Sequence, residues 1–400
     1  MTNQKFKIEI GSRNLEIEIK NLAEQANGSC LVRYGDTLIL ATSVMSKEER
    51  KVGFFPLTVD YEERYYAAGK ILGSRYIRRE SRPSDEAILT SRLIDRAIRP
   101  RFPENLFRET QVVITCLSWD RENDPDLLGL IGASQALSIS DIPWLGPIAA
   151  LRIGRVDGKF ILNPTYEQRE KSDLDLFVAG VEKNSQILIN MIEAEGEEVP
   201  EGIILEAVKF AKPHLKRIID FQNQISKKVS KEKILIEAPP RDLELEKEIK
   251  EFLKGRLEEA LYRKDKVDRM DSNPPTTRQG KIMDSVNNLK EELSYFIEGK
   301  YPGMGKTKYA LGFFEKEIDR LVHENIIKPP AGREKRPDGR SLDEIREIHC
   351  EAGLIPRTHG SGLFCRGQTK TLSILTLGSP GDVRLLEGME IVGKKRLKNF

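Results

Sequence analysis

The chain has 400 residues, of which 39% are hydrophobic and 32% are charged. This length and mixture predict two or three globular domains, and they exclude a disordered chain and a small disulfide-stabilised scaffold. The four cysteines include no Cys-x-x-Cys pair, so we expect reduced thiols rather than disulfides or a zinc site. The net charge of +2 does not by itself predict a polyanionic partner.

Targeting signals and membrane spans are not evident in the sequence. The apolar run from Leu127 to Ser140 is too short, and too rich in Ser and Gly, to cross a bilayer. Residues 1–10 lack the apolar core of a secretory signal. We therefore expect a cytoplasmic protein without a membrane partner.

Basic residues concentrate in one stretch of the chain. Between Arg64 and Arg101, ten basic residues stand against four acidic ones, and nine of the ten are arginine. Arginine binds phosphate groups through two parallel hydrogen bonds, so this stretch is a candidate contact for a polyanion. The alternatives are a solvated basic surface or internal ion pairs with Glu80, Asp85, Glu86 and Asp95.

The first segment is predicted to fold into strands. Apolar and polar residues alternate over residues 6–10 and again over 15–19, and Gly11–Asn14 predicts a hairpin loop between them. A β-rich run over residues 38–44 follows. Ser84 then predicts the N-cap of a helix, which Arg99-Pro100 is expected to end.

Strands and helices continue to alternate downstream. Residues 111–118 predict a strand, and residues 126–140 predict a helix whose glycines and alanines allow close packing on a sheet. A helix is also predicted from about residue 200 to 221. Four β-rich runs predict a β-meander: 151–156, 158–162, 174–181 and 186–192. Together these elements predict an α+β domain over residues 1–235.

The character of the chain changes after Pro239-Pro240. Residues 243–262 and 281–297 are charged and helical in period, which predicts an all-helical module over residues 241–328. The run Gly303-Met304-Gly305-Lys306-Thr307 resembles a phosphate-binding loop, but residue 300 is lysine where that motif needs glycine. We therefore expect an ordinary turn between helices.

An internal repeat links the two ends of the chain. Residues 28–37 align with residues 360–369 at a constant offset of 332, and five of the ten positions are identical. A β-rich run follows each copy. A linker at 329–332 precedes the second copy, so residues 336–400 are predicted to begin a second domain like the first, which is incomplete at Phe400.

Several motifs occur in an order that carries a resemblance to a known family. They are Tyr65-Tyr66-Ala67-Ala68-Gly69-Lys70-Ile71, Arg78-Arg79-Glu80-Ser81-Arg82-Pro83-Ser84, Arg92-Leu93-Ile94-Asp95-Arg96, Glu122-Asn123-Asp124-Pro125-Asp126, Ile131-Gly132-Ala133-Ser134 and Pro356-Arg357-Thr358-His359-Gly360-Ser361. Nearly end to end, the chain resembles the bacterial polynucleotide phosphorylases.

This resemblance implies a fold and an activity. Two RNase PH-like domains flank an all-helical domain in the family, and the repeat found above is what such a duplication predicts. The implied activity is phosphorolytic 3′-to-5′ exoribonuclease action in mRNA turnover, in which inorganic phosphate releases nucleoside diphosphates from single-stranded RNA. The resemblance also implies a ring of three chains, Mg²⁺ as cofactor and an RNA-degrading complex as a further partner.

The same resemblance assigns an RNA-binding loop to the first domain. Tyr76, Arg78, Arg79 and Arg82 match an aromatic-arginine loop that lines the pore of the ring. Arginines there would contact phosphates while the aromatic ring stacks on a base, which suits binding without sequence preference. Internal ion pairs with nearby acidic residues are the alternative.

Five further residues are assigned to RNA by resemblance. Arg96 and Arg99 match basic positions of the first domain, although a structural role on the helix surface is an equal alternative. Arg357, His359 and Arg366 fall in the opening segment of the second domain, near its catalytic cleft in the family. His359 is as readily a polar loop residue.

The turn at Asp124 and Asp126 differs from what a phosphate site requires. In the family, the equivalent turn of the second domain presents serines to the attacking phosphate, whereas carboxylates at a helix start repel it. We expect the first domain to be catalytically silent. The family's phosphate-binding serines, metal-associated aspartates and C-terminal RNA-binding modules would lie beyond residue 400, so we expect the chain alone to be inactive. A non-catalytic RNA-binding ring or scaffold protein is the alternative function.

Overall fold

The computed structural model describes most of the chain in two compact units. One unit contains Met1–Ala238 together with Ser379–Phe400, and the other contains Pro239–Gly378. The three domains predicted from the sequence, over residues 1–235, 241–328 and 336–400, stay a prediction. The described residues are 4–20, 22–50, 54–71, 82–236, 241–262, 285–327, 336–338, 340–379, 381–382, 385–386, 388–390 and 395–396.

A six-stranded sheet forms one layer of the first unit, with strand order β1-β2-β3-β4-β6-β5. Its strands are β1 (Gln4–Ile10), β2 (Arg13–Ile19), β3 (Gly28–Tyr34), β4 (Thr37–Glu49), β5 (Leu57–Glu62) and β6 (Arg108–Ser118). The predicted hairpin is confirmed, since Ile10 pairs with Arg13 across the turn. All neighbours run antiparallel except β5, which pairs with β6 in parallel.

A four-stranded sheet forms a second layer, and its topology corrects the predicted meander. Its strands are β7 (Ile148–Val156), β8 (Lys159–Leu162), β9 (Leu174–Lys183) and β10 (Gln186–Gly196), in the order β10-β9-β7-β8. In a meander, β8 would pair with β9. Instead, helix α3 (Tyr166–Glu170), started by a capping box between Thr165 and Gln168, separates these strands, and β9 pairs with the other side of β7.

Three longer helices pack with these sheets. They are α1 (Asp85–Ile98), α2 (Pro125–Ile139) and α4 (Glu201–Val229). Ser84 caps α1 as predicted, accepting a hydrogen bond from the Ala87 amide at 2.9 Å. Helix α4 runs eight residues beyond the predicted end at Phe221, because Gln222 and Ile225 are fully buried against the core and continue its apolar face.

Helix α2 is buried along its whole length. It packs against β3 and β4 of one sheet and β7 of the other. The backbones approach so closely that a Cβ atom at Gly28 would lie 2.2 Å from the carbonyl oxygen of Ala136. The predicted close packing of this helix is therefore confirmed, and it fixes the separation between α2 and β3.

The second unit begins with a helical part. Its helices are α5 (Leu243–Leu253), α6 (Arg256–Leu261), α7 (Ser285–Lys300) and α8 (Lys306–Ile327). The single helix predicted over 243–262 is interrupted at Gly255, whose φ of +73° is incompatible with a continuous helix. Residues 303–305 form the expected turn between α7 and α8, and Lys306 pairs with Asp242 at 2.8 Å.

The internal repeat reappears as a repeated hairpin. Strands β11 (Ile348–Ala352), β12 (Gly360–Arg366) and β13 (Thr369–Leu375) form an antiparallel sheet in the second unit, and the first unit contains the short β14 (Leu385–Leu386) and β15 (Lys395–Arg396). Strands β12 and β13 start 332 residues after β3 and β4 and keep the same register, with Gly360 opposite Leu375 as Gly28 is opposite Ser43.

The close approach at Gly28 provides a stability test. Gly28→Ala should lower the free energy of unfolding of the first unit by about 3 kcal/mol, because a backbone carbonyl cannot move aside for the methyl group. Gly202→Ala is the matched control, since that glycine lies in α4 with open space around it and should change stability by less than about 1 kcal/mol. Urea denaturation followed by tryptophan fluorescence measures both. Equal stability of the two variants would contradict the packing described for α2.

Candidate functional site

The predicted RNA-binding loop lies mostly outside the described residues. Tyr76, Arg78 and Arg79 all fall within 72–81, so their assignment stays a prediction. Arg82 is described and is exposed. It lies two residues before Ser84, whose hydroxyl donates a 2.5 Å hydrogen bond to the Glu63 carboxylate. This contact ties the end of the loop to the end of β5.

Arg96, on α1, and Arg99, the residue directly after α1, are both exposed but differ in their contacts. Arg99 donates to both carboxylate oxygens of Asp95, at 2.6 and 2.9 Å, and to the backbone carbonyls of Phe55 and Leu57. Arg96 forms one ion pair, with Glu193. The contacts of Arg99 thus hold the local structure together. The assignment of Arg96 and Arg99 to RNA binding stays a prediction.

The three residues assigned to the second domain lie in the second unit. Arg357 and His359 precede β12, and Arg366 ends it, and all three are exposed. The Leu377 amide donates to His359 Nδ1 at 2.7 Å, which holds the imidazole beside the end of β13. Their contact with RNA also stays a prediction.

The start of α2 carries the two predicted aspartates. Asp124 is the N-cap, and its carboxylate accepts a hydrogen bond from the Asp126 amide at 3.2 Å. Asp126 lies in the first turn and is 9% exposed. As predicted, carboxylates of the protein itself occupy the positive end of the helix dipole.

Two arginines and a third aspartate complete a buried cluster around these side chains. Arg152, on β7, forms ion pairs with Asp124, Asp126 and Asp175 at 2.9, 2.6 and 2.8 Å. Arg169, at the end of α3, contacts Asp124 and Asp175 at 2.7 Å each. We call these five residues the acid-arginine cluster. Since three carboxylates face two guanidinium groups, both arginines are engaged by the protein.

The carboxylates of the acid-arginine cluster differ in their ionisation. Burial raises the pKa of Asp126 well above its usual range, and the adjacent Asp124 carboxylate raises it further, against the attraction of Arg152. Burial also acts to raise the pKa of Asp124, but Arg152 and Arg169 outweigh it and hold that pKa below its usual value. Of this pair, Asp126 is therefore the acid that holds its proton to higher pH, and Asp124 is the one that ionises first.

A cleft of about 660 Å³ opens beside the cluster. Seven carboxylic acids and two arginines line it, and the acids include Glu86 on α1 and Glu193 on β10. Glu390 also lines it, accepting a hydrogen bond from the hydroxyl of Tyr166. The excess of acidic groups makes this cleft unfavourable for an anion such as phosphate.

Comparison with known proteins assigns the fold to a family. Residues 11–143 match the 3′ exoribonuclease family, domain 1, and residues 146–213 match domain 2 of the same family. The chain belongs to the 3′ exoribonuclease family. The two matched ranges meet between α2 and β7, so the first unit contains both parts of an RNase PH-like domain, and the acid-arginine cluster joins residues of the two parts.

Curated relatives carry one common name. The polyribonucleotide nucleotidyltransferase of Geobacillus kaustophilus is 46% identical over 391 residues, which cover 98% of this chain and 51% of that protein. The protein of the same name from Bacillus cytotoxicus is 45% identical over 393 residues. The chain therefore spans about half the length of the curated relatives it matches, and it is similar to one half of each.

Sequence reasoning found the aspartates of this 3′ exoribonuclease domain but missed their partners. Arg152 interrupts the buried apolar strand Ile148–Val156, and a lone arginine in such a strand is a signal for a buried ion pair. Asp175, in the buried strand β9, carries the same signal. No sequence signal pointed to the contact of Glu390 with Tyr166, because 224 residues separate the two.

The described residues do not fit a metal ion. Within the described ranges, no group of three or more His, Cys, Asp or Glu side chains is placed to hold one. Asp124, Asp126 and Asp175 instead accept hydrogen bonds from arginine. In the same part of the chain, no helix is long and apolar enough to cross a membrane.

The raised pKa of Asp126 and the lowered pKa of Asp124 predict effects of different size for two conservative substitutions. Asp126→Asn should change the free energy of unfolding at pH 7 by less than about 1 kcal/mol, because the amide resembles the protonated acid that a raised pKa favours. Asp124→Asn should lower it by about 3 kcal/mol, because two buried arginines lose a charged partner and α2 loses its cap. Urea titration measures both, and Trp119 and Trp144, the protein's two tryptophans, report on the first domain alone.

The pH dependence gives a second check on the same pair. A folded-state pKa above the unfolded one means that the folded chain binds more protons, so this contribution to stability falls as pH rises above the usual aspartate range. Asp126→Asn should remove that fall. If Asp126→Asn destabilises the domain as much as Asp124→Asn, Asp126 is ionised and the described protonation is wrong.

Proposed function

We propose that the chain is the N-terminal half of a polyribonucleotide nucleotidyltransferase and contributes to phosphorolytic 3′-to-5′ degradation of single-stranded RNA. The observation that carries this proposal is the 46% identity that extends over 98% of the chain. Identity at this level across two units, rather than over one motif, supports the same architecture and role. A non-catalytic RNA-binding scaffold remains the alternative outcome of the tests below.

The first domain supplies structure and RNA contacts in this proposal, not the phosphate site. Arg152 and Arg169 are the cluster's two cationic side chains, and each is already bound by two or more carboxylates. Phosphate would have to displace these carboxylates inside an acidic cleft. Breaking the buried ion pairs would cost more free energy than phosphate binding would provide. The attack on the terminal nucleotide is therefore assigned to the second RNase PH-like domain.

Further partners belong to the same proposal. The arginine-rich stretch that includes Arg78, Arg79 and Arg82 would contact RNA phosphates, and phosphate would be the second substrate. Three copies would form the ring, in the cytoplasm, in association with an RNA-degrading complex. Mg²⁺ would act at the second domain, with ligands that we propose to lie beyond residue 400.

A phosphorolysis assay tests whether the catalytic activity depends on the second RNase PH-like domain. The 400-residue chain, incubated with poly(A), phosphate and Mg²⁺, should release no nucleoside diphosphate, whereas a chain extended through the rest of the second domain should release it. Chromatography of the products distinguishes the two. Release by both chains at similar rates would place activity in the first domain, and release by neither would favour the scaffold.

RNA binding tests the arginine-rich loop. The double substitution Arg78→Ala and Arg79→Ala should weaken binding of all single-stranded sequences alike and reduce the salt dependence by about one to two phosphate contacts. Lys171→Ala with Lys183→Ala removes the same charge from two exposed lysines elsewhere and should leave the slope unchanged. Titration at several salt concentrations gives the slope. An equal slope in both double variants would contradict the loop assignment.

A further inference from the structure

Residues 388–390 return to the first domain from far along the chain. Met389 is 0% exposed and belongs to the hydrophobic core of the first unit. The Lys70 ammonium group donates to the backbone carbonyl of Met389 at 2.7 Å and to that of Gly388 at 3.4 Å. The first domain thus contacts the apolar side chain of Met389 as well as the backbone carbonyls of Gly388 and Met389.

Glu390 extends this contact into the cleft beside the acid-arginine cluster. Its carboxyl accepts a hydrogen bond from Tyr166 and lines the same cavity as Asp124 and Asp126. Ionisable groups that also interact with it include Glu63, Lys70, Tyr61 and Cys116. Acids from the start of α2 and from the end of β5 thus lie near it, together with Lys70, and Arg152 and Arg169 line the same cavity.

The surroundings determine how Glu390 is protonated. Burial raises the pKa of Glu390 well above its usual range, and the Asp124 carboxylate adds to this, while the hydrogen bond from Tyr166 acts in the opposite direction. A glutamate released to solvent is ionised at neutral pH. Burial in the cleft therefore favours the protonated form of Glu390, whereas release to solvent favours the ionised form.

We propose that the cleft of the first domain is a docking socket for residues 388–390, in which Met389 is the anchor and Glu390 binds as the neutral acid. Docking then takes up one proton from solvent, and it weakens as pH rises, by up to tenfold per pH unit while docked Glu390 stays protonated. This function of the cleft goes beyond the proposed function, because it requires neither RNA nor phosphate.

Oxidation of Met389 by hydrogen peroxide measures the docking directly. The thioether reacts only when it is exposed, so its oxidation rate in the 400-residue chain, followed by mass spectrometry, reports the undocked fraction. Met304, which is 67% exposed, gives the rate of an accessible methionine, and Met45 and Met191, both 7% exposed, report on unfolding of the first domain. Between about pH 6 and about pH 8.5, Met389 oxidation should accelerate at least tenfold while Met45 and Met191 stay protected.

The substitution Glu390→Gln tests whether docked Glu390 is a neutral acid or an ionised carboxylate. Glutamine keeps an acceptor for Tyr166 without a charge, so Met389 in this variant should be oxidised slowly and at a rate independent of pH. Glu197→Gln, at an exposed glutamate, is the matched control and should behave as the unaltered chain does. If Met389 in Glu390→Gln reacts as fast as Met304, or if the unaltered chain shows no pH dependence, the proposal is wrong.

The anchor is tested by amide hydrogen exchange. Met389→Ala should raise the exchange rate of peptides that cover residues 385–390 at least about tenfold, whereas Met389→Leu, which conserves volume, should keep them protected. Peptides from Leu174–Lys183 show whether the domain itself stays folded. Equal protection in the alanine and leucine variants would exclude Met389 as the anchor.

Discussion

Arg152 neutralises the acidic start of a helix that is buried along its whole length. Helix α2 is buried between two sheets, and its N-cap and its first turn each contribute an aspartate, so the charge there needs a partner inside the protein. The guanidinium on β7 meets this need and also binds Asp175 on β9. One cation therefore joins the helix to the second sheet, and Arg169 brings α3 into the same arrangement. The close contact of Gly28 with α2 joins that helix to the first sheet.

The elements that sequence reasoning predicted are those with local signals. Ser84 as a cap, the hairpin near Gly11 and the buried helix after Asp124 follow from patterns of a few residues. The pairing of β9 with β7 rather than β8 depends on how the chain crosses between strands, and only the capping box at Thr165 marked that crossing. Glu390 could not be predicted, because its contact with Tyr166 depends on the return of a distant segment.

The two copies of the repeated hairpin share their turn geometry and register but differ in burial. Gly35 and Gly367 have φ values of +62° and +58°, so both turns need a residue that tolerates the left-handed region, and both hairpins keep one register. Burial differs between the copies. Residues of β4 alternate between buried and partly exposed over most of the strand, whereas every residue of β13 is exposed, including the apolar Leu372 and Ile374. Turn geometry is thus encoded in the repeat itself, whereas burial depends on the elements packed around each copy.

The shared carboxylates around Arg152 also constrain how this cleft can evolve. Replacing Asp126 alone leaves Arg152 bonded to Asp124 and Asp175, so no guanidinium is released to bind an anion. Replacing Asp175 alone leaves both arginines bound to Asp124. A gain of anion binding would need at least two changes together, and the first would bring no functional benefit on which selection could act. Such strong epistasis makes it difficult for single mutations to create an anion-binding site in this cleft, even while the fold around it persists.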